Sequence, residues 1–305
     1  MRILLTGASG FVGSQALASL VAAQADAHAV SRQRPPVDGA FEWHQADLLA
    51  PGAAQGLVSE IRPDCILHLA WCVEHGKFWT DPANLDWVAA TLALARAAAD
   101  TGVRRFVGTG TCYEYDWPAE GPCDEYATPL APHMLYDVSK DSCRRVLAAF
   151  FEGRQVAFSW ARLFFLYGPG EAQGRLVSSI ARALLAGEPA LCSAGLAERD
   201  FMDVRDAGAA LAALAMSEVQ GIVNIGTGAA SRVADIAQQL GRLAGRPELV
   251  KLGALPDRPG EPLRIVARTE RLHGEVGFIG GRSLEQGLDE ALSFWRTAAR
   301  DGVKK

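Results

Sequence analysis

The stretch Thr6-Gly7-Ala8-Ser9-Gly10-Phe11-Val12-Gly13 decides how the chain reads. An apolar run, Ile3 to Leu5, precedes it, and an alanine- and leucine-rich segment, Gln15 to Ala23, follows. The order is strand, tight turn, helix. A loop needs only one or two residues of positive φ, so three regularly spaced glycines ask for more. Gly7 can make the sharp turn off the strand, Gly10 can let a pyrophosphate approach the backbone, and Gly13 can let the helix sit close to the sheet. Phe11 and Val12 fall at the start of that helix, where free N–H groups and the dipole favour an anion. The first gap is one residue longer than in the usual dinucleotide fingerprint, and a glycine-rich turn without a ligand is the competing reading.

A chain of 305 residues with 49% hydrophobic content can form one large domain or two smaller ones. The net charge is −5 and no lysine- or arginine-rich block stands out, which argues against a nucleic-acid partner. Any anionic ligand must be met by a few local arginines. Met1 and Arg2 run straight into a strand, with no signal-peptide core, and nowhere do about 18 uncharged apolar residues run together. A soluble, cytoplasmic protein without membrane contact is expected. The six cysteines form no Cys-x-x-Cys pair and the six histidines show no ligand spacing, so free thiols and no metal are expected.

The next apolar run, Ala27 to Val30, ends in Ser31-Arg32-Gln33-Arg34, near where a dinucleotide fold contacts the adenosine ribose. An NAD enzyme usually places Asp or Glu there for the 2′-hydroxyl, whereas a 2′-phosphate calls for arginine. Ser31, Arg32 and Arg34 therefore favour NADP(H), with NAD(H) as the alternative if the arginines are ordinary loop charges. Phe41 to Gln45 reads as a short strand, and Asp47 with Leu48 follows in position to meet an adenine edge. Asp64 to Ala70 is the near-continuous apolar run of a strand buried on both faces, with His68 as a core residue and Leu69 and Ala70 at its end. Helical spacing covers 84–100, and Arg105 to Gly108 reads as a strand. Alternation of this kind up to about residue 165 implies a parallel sheet covered on both faces. Ligands of such sheets sit beyond the carboxyl ends of the strands, where Gly7, Ser31, Ala70 and Thr111 fall.

Tyr136-Asp137-Val138-Ser139-Lys140 opens an amphipathic helix running to about Phe151. Four-residue spacing puts phenol and ammonium on one face, and an ammonium stabilises phenolate. A tyrosine of ordinary pKa about 10 is thereby expected to move toward a useful range for proton transfer.

The chain resembles the extended short-chain dehydrogenase/reductase family, in its nucleotide-sugar epimerase, dehydratase and reductase branch. The resemblance rests on the 6–13 turn, His68-Leu69-Ala70, Tyr136 with Lys140, Arg162 to Gly170, Arg199 to Asp206, Asn224 to Gly228, and Arg258-Pro259-Gly260-Glu261. It implies an α/β, doubly wound parallel (Rossmann) sheet over residues 1–165, with a strand returning near 221–226. Residues 166–305 would mostly form a smaller, interleaved substrate-binding lobe. It implies Thr111 as the hydroxyl on the reacting oxygen, Tyr136 as general acid/base, and Lys140 as the residue that holds the nicotinamide ribose. Arg199 and Arg258 match positions that often bind the nucleotide diphosphate, and Arg175 is a further expected substrate contact. A homodimer is expected through the helices near 84–101 and 133–151.

Departures from the family pattern narrow the chemistry. Dehydratases of this branch carry Asp-Glu directly after the catalytic Thr; here stand Cys112 and Tyr113, with Glu114 out of register. Dehydration lacks its second proton-transfer pair. Phe165 and Trp87 replace two customary asparagines, and the loop from Trp71 through His75 to Trp79 is rich in aromatic and polar groups. Trp71, His75, Cys112 and Phe165 are thus expected to shape the sugar pocket. The leading expectation is an NADPH-dependent reductase of a nucleotide-linked keto-sugar of the 4-keto-6-deoxyhexose type. A nucleotide-sugar 4-epimerase with bound NAD is the alternative, and a non-catalytic dinucleotide sensor is disfavoured because it has no need of Tyr136 and Lys140.

Overall fold

The computed structural model describes residues 1–118, 120–257 and 260–300. The first half alternates strand and helix: β1 (Arg2–Thr6), α1 (Phe11–Ala22), β2 (Asp26–Ser31), β3 (Glu42–Gln45), α2 (Ala53–Ile61), β4 (Cys65–His68), α3 (Ala83–Thr101), β5 (Arg105–Thr111), α4 (Leu135–Phe151) and β6 (Ala157–Leu163). Shorter elements follow: β7 (Phe165–Tyr167), α5 (Leu176–Ala186), β8 (Ala190–Leu191), β9 (Glu198–Arg199), β10 (Phe201–Asp203), α6 (Val204–Met216), β11 (Gly221–Ile225), β12 (Ser231–Arg232), α7 (Val233–Leu243), β13 (Val250–Lys251), β14 (Arg264–Ile265), α8 (Glu270–Gly274) and α9 (Leu284–Arg300).

Seven strands form one sheet in the order β3-β2-β1-β4-β5-β6-β11, every pair parallel. Strand order reverses between β1 and β4, which opens a crevice at their carboxyl ends. Side chains alternate across the sheet. Ile3 and Leu5 join the core under α1 and α6, while Leu4 joins the opposite core with Phe106 of β5 and with Leu57, Leu94 and Leu147 of the other helical layer. Burial on both faces is why these strands read as continuous apolar runs; each such side chain contributes about 1.5–3 kcal/mol.

Two strand boundaries differ from expectation for local reasons. β4 ends at His68: the Leu69 N–H is shared between the Thr6 carbonyl oxygen (3.3 Å) and the Thr6 hydroxyl (3.2 Å), and the Ala70 N–H donates to that hydroxyl (3.2 Å) instead of continuing a ladder. β5 runs on to Thr111, beyond the expected end at Gly108.

The second lobe packs α5, α7 and α9 around Ile180, Leu184, Ile236, Leu240 and Leu288, with two- and three-stranded sheets between them. Two stretches that carried the family resemblance are partners in holding it to the main sheet. The buried Asp200 carboxylate accepts from Thr227 N (2.8 Å), Thr227 Oγ1 (2.6 Å), Gly228 N (2.9 Å) and Ala267 N (3.1 Å). Asn224 Oδ1 accepts from the Tyr115 hydroxyl at 2.7 Å, and Asn224 Nδ2 donates to Cys123 O at 2.8 Å. Among the described residues no helix is long and apolar enough to cross a membrane. The helices expected at a dimer interface, α3 and α4, carry exposed Leu85, Val138 and Val146.

At the end of β5 an ion pair is fully enclosed. Arg162 Nε donates to Glu114 Oε2 at 2.7 Å with neither side chain exposed, and the guanidinium lies over the Tyr115 ring, 4.3 Å from its centre. Removing one member of such a pair strands a buried charge, whereas replacing both with apolar groups is often neutral. Arg162→Met should therefore lower unfolding free energy in urea by about 3–5 kcal/mol, and adding Glu114→Leu should restore most of it. A single replacement that costs under about 1 kcal/mol would contradict this account.

Candidate functional site

At the carboxyl end of β1 the chain turns on Gly7, whose φ is +71°. A Cβ on Gly7 would lie 2.8 Å from Ala70 N, and one on Gly13 would lie 2.0 Å from the Gly7 carbonyl oxygen. Backbone touches backbone at both places, so no side chain fits. Gly13 thus accommodates the turn itself, one step earlier than the sheet. α1 begins after Gly10 with no side-chain cap and no acidic residue in its first turn, which leaves its N–H groups and positive dipole end directed at the crevice. The geometry and chemistry of that helix end fit the pyrophosphate of a dinucleotide.

A cavity of about 1240 Å³ starts here and runs between the lobes. Its wall includes Gly7, Gly10, Phe11, Val12 and Gly13, then Ser31, Arg32, Asp47 and Leu48 at the ends of β2 and β3, and Leu69 and Ala70 after β4. Thr111 and Tyr136 face the same space, as do Trp71, His75, Cys112, Phe165, Arg175 and Arg199. Arg258 lies outside the described residues.

Three expected residues sit differently from their sequence assignment. Arg34 is absent from the cavity wall; its guanidinium packs over Phe41 and Trp43, 5.4 and 5.8 Å from the ring centres. Arg199 is in the wall, but its Nη2 donates to Glu261 at 2.8 Å and its Nη1 to Glu198 O at 2.8 Å, so much of its charge is already answered within the chain. Lys140 lies one layer behind the wall. Its ammonium donates to Thr109 O at 2.9 Å and sits 3.8 Å from the centre of the Trp71 ring, which covers it on the cavity side. Trp71 is held in turn by its indole N–H, which donates to Asn84 Oδ1 at 2.8 Å.

The electrostatics also correct an expectation. The Tyr136 hydroxyl is pushed up from the ordinary range, not down, because burial and then the Glu114 carboxylate disfavour the phenolate. Its ring stands edge-on to Phe78 and Trp79, with centres 4.8 and 5.9 Å away, and Lys140 Nζ is 6.0 Å from its centre. Burial brings Lys140 down to about 7. His68 is core, as expected: it bridges Thr6 Oγ1 (2.8 Å) and Thr91 Oγ1 (2.9 Å), and burial brings it down to about 3. Burial likewise raises the Cys112 thiol well above its usual value, which leaves it an apolar wall group.

Sequence reasoning missed several wall residues. Phe201 and Tyr113 line the wall beside Phe165, and Tyr113 stands edge-on to Trp79 at the end of the aromatic loop. Glu171 also faces the cavity, and burial raises it to about 7; it accepts from Ser178 N at 3.0 Å in the first turn of α5, which is a capping contact. Away from the cavity, His28 Nδ1 and His44 Nε2 meet at 2.9 Å across β2 and β3, a pairing that spacing along the chain does not reveal.

A GDP-6-deoxy-D-mannose reductase of Pseudomonas aeruginosa is 28% identical over 98% of this chain and 99% of its own. A UDP-glucose 4-epimerase of Mycolicibacterium smegmatis is 26% identical over 98% of this chain and all of its own. In three dimensions, the UDP-glucose 4-epimerase of Thermus thermophilus, solved in complex with NAD, superposes with a TM-score of 0.85 at 23% identity, over 98% of this chain and all of that one. The model of the NAD dependent epimerase/dehydratase family matches residues 3–226, from β1 and its glycine turn to the returning strand β11. This chain belongs to the NAD dependent epimerase/dehydratase family.

Proposed function

We propose that this protein is an NADPH-dependent reductase of a nucleotide-linked keto-sugar of the 4-keto-6-deoxyhexose type. The observation that carries the cofactor choice is at the end of β2, where Ser31 and Arg32, rather than a carboxylate that would accept from a ribose 2′-hydroxyl, face the cavity. A reductive direction also suits Tyr136. The phenol carries the proton that a carbonyl oxygen would take, and a positive charge beside it would offset the burial that holds it above the ordinary range and weakens it as an acid.

A bound nicotinamide would supply the hydride to the ketone carbon. Tyr136 then delivers its proton to the ketone oxygen, while the Thr111 hydroxyl donates a hydrogen bond to the same oxygen and takes up part of the developing charge. The uncapped start of α1 would hold the cofactor's pyrophosphate, and Phe78 and Trp79 of the aromatic wall keep one side of Tyr136 dry. Trp71 and Lys140 back this wall; Lys140 reaches the cavity only if the Trp71 ring moves aside.

The second reading, a nucleotide-sugar 4-epimerase, is favoured by the 26% identical epimerase and by the likeness to a structure holding NAD. Incubation with NADPH and GDP- or dTDP-linked 4-keto-6-deoxyhexoses separates the two. Stoichiometric NADPH oxidation supports reduction; conversion of UDP-glucose to UDP-galactose without net cofactor change supports epimerisation.

Fluorescence titration should show NADPH binding more tightly than NADH, with Arg32→Ala narrowing the ratio by about tenfold; equal affinities in the parent would remove the case for NADPH. Tyr136→Phe should lower kcat by about 10²–10⁴-fold with NADPH affinity within about threefold, and unchanged turnover would show that the proton comes from elsewhere. Lys140 titrates near 7 when folded but near 10.5 when unfolded, so folding releases a proton between those values. Lys140→Met should therefore unfold at a higher temperature than the parent at pH 7, and the gap should shrink as pH rises toward 10. A gap that widens over that range would reverse the sign of this assignment.

A further inference from the structure

We propose that Glu114 is a positioning residue for the reaction: its buried carboxylate fixes the Thr111 backbone and so aims the Thr111 hydroxyl at the substrate oxygen beside Tyr136. This rests on the assignment of Thr111 and Tyr136 to the reacting oxygen.

Thr111 is the last residue of β5, and its N–H donates to Glu114 Oε1 at 2.9 Å. Thr111 still pairs with Leu163 of β6, and its N–H is anchored by a side chain three residues on. That carboxylate is itself immobile. Trp160 Nε1 lies 3.1 and 3.2 Å from its two oxygens and Arg162 Nε lies 2.7 Å from Oε2, all three residues being almost wholly buried. The space for it comes from Gly110, where a Cβ would lie 2.1 Å from both Glu114 Oε1 and Trp160 Nε1.

The same turn orients the hydroxyl. Thr111 Oγ1 accepts from Tyr113 N at 3.3 Å, and the pair of contacts closes a capping box around the single turn Cys112–Glu114. With an acceptor site of Oγ1 used by a backbone N–H, the hydroxyl proton is left to donate into the cavity that Thr111 and Tyr136 share. An enclosed carboxylate is costly to desolvate, and an apolar residue would fill its place as well for stability alone. What an apolar residue lacks is the acceptor for Thr111 N–H.

The test is a cycle of variants assayed by NADPH oxidation with GDP-linked 4-keto-6-deoxymannose. Glu114→Leu is combined with Arg162→Met so that no orphan guanidinium unfolds the protein. In the parent background this change should lower kcat by about 10–100-fold, with KM and NADPH affinity within about threefold. In a Thr111→Ala background it should cost less than about twofold, because the group it positions is gone. Glu114→Gln with Arg162→Met, which keeps a carbonyl oxygen for Thr111 N–H, should recover most of the rate. Equal losses in both backgrounds, or no rescue by Gln, would overturn the proposal in favour of a general structural role.

Hydrogen exchange at the Thr111 amide gives a readout that needs no turnover. Exchange should quicken at least about tenfold in the Leu/Met variant and stay near the parent rate in the Gln/Met variant; unchanged protection in both overturns the proposal. If the parent oxidises no NADPH with this sugar, the proposed substrate fails, and the amide experiment still decides the role of Glu114.

Discussion

Contact between two backbones, the Gly7 carbonyl and the Cα of Gly13, sets the geometry on which the rest of the molecule depends. A Cβ on Gly13 would stand 2.0 Å from the Gly7 oxygen, so the first turn of α1 can lie against the end of β1 only because Gly13 lacks a side chain, and Gly7 in turn lets the end of β4 come in against the same bend. That approach brings the uncapped N–H groups of α1 to the crevice where strand order reverses. Thr6 completes the arrangement, its hydroxyl accepting from Leu69 and Ala70 while touching His68. The β4 end is thereby bent over the same crevice.

From the crevice outward, the structure invests its buried polar groups in fixing loops and leaves the cavity wall mostly apolar. Asp200 gathers the 227–228 and 267 backbone, Asn224 gathers Tyr115 and Cys123, and Glu114 gathers Thr111, Trp160 and Arg162. The three side chains at the centres of these clusters each make two or more hydrogen bonds, whereas the Arg162 Nη1 and Nη2 atoms are buried without a hydrogen-bond partner among the described residues, so the Glu114 cluster adds rigidity at a cost in stability. Under the proposed reaction, rigidity matters most at Thr111, because a donor displaced by an ångström from the reacting oxygen loses much of its effect.

Around Tyr136 the balance of charge is unusual for a site that would bind two phosphate-bearing ligands. Arg199 is shared with Glu261, Lys140 is covered by Trp71, and Phe78 and Trp79 stand edge-on to the phenol ring. Desolvation therefore dominates over the neighbouring ammonium, and the phenol is held in its protonated form. A positive charge brought next to it, such as an oxidised nicotinamide, would act in the opposite sense.

The sequence by itself determined the sheet and its ligand crevice, because glycine spacing and two-sided apolar runs are local consequences of close packing and burial. The strand expected to return near 221–226 is found at Gly221–Ile225, on the far edge of the sheet beside β6. Gly7, Arg32, Thr111 and Tyr136 could be placed at one cavity from their positions at strand and helix ends. Only the tertiary structure decided what each side chain does there. Arg34 stacking on Phe41 and Trp43, the shielding of Lys140 by Trp71, the upward shift of Tyr136 and the clamping of Glu114 by Trp160 and Arg162 all join residues from different elements. Charge and burial are properties of such neighbourhoods, and spacing along a chain does not encode them.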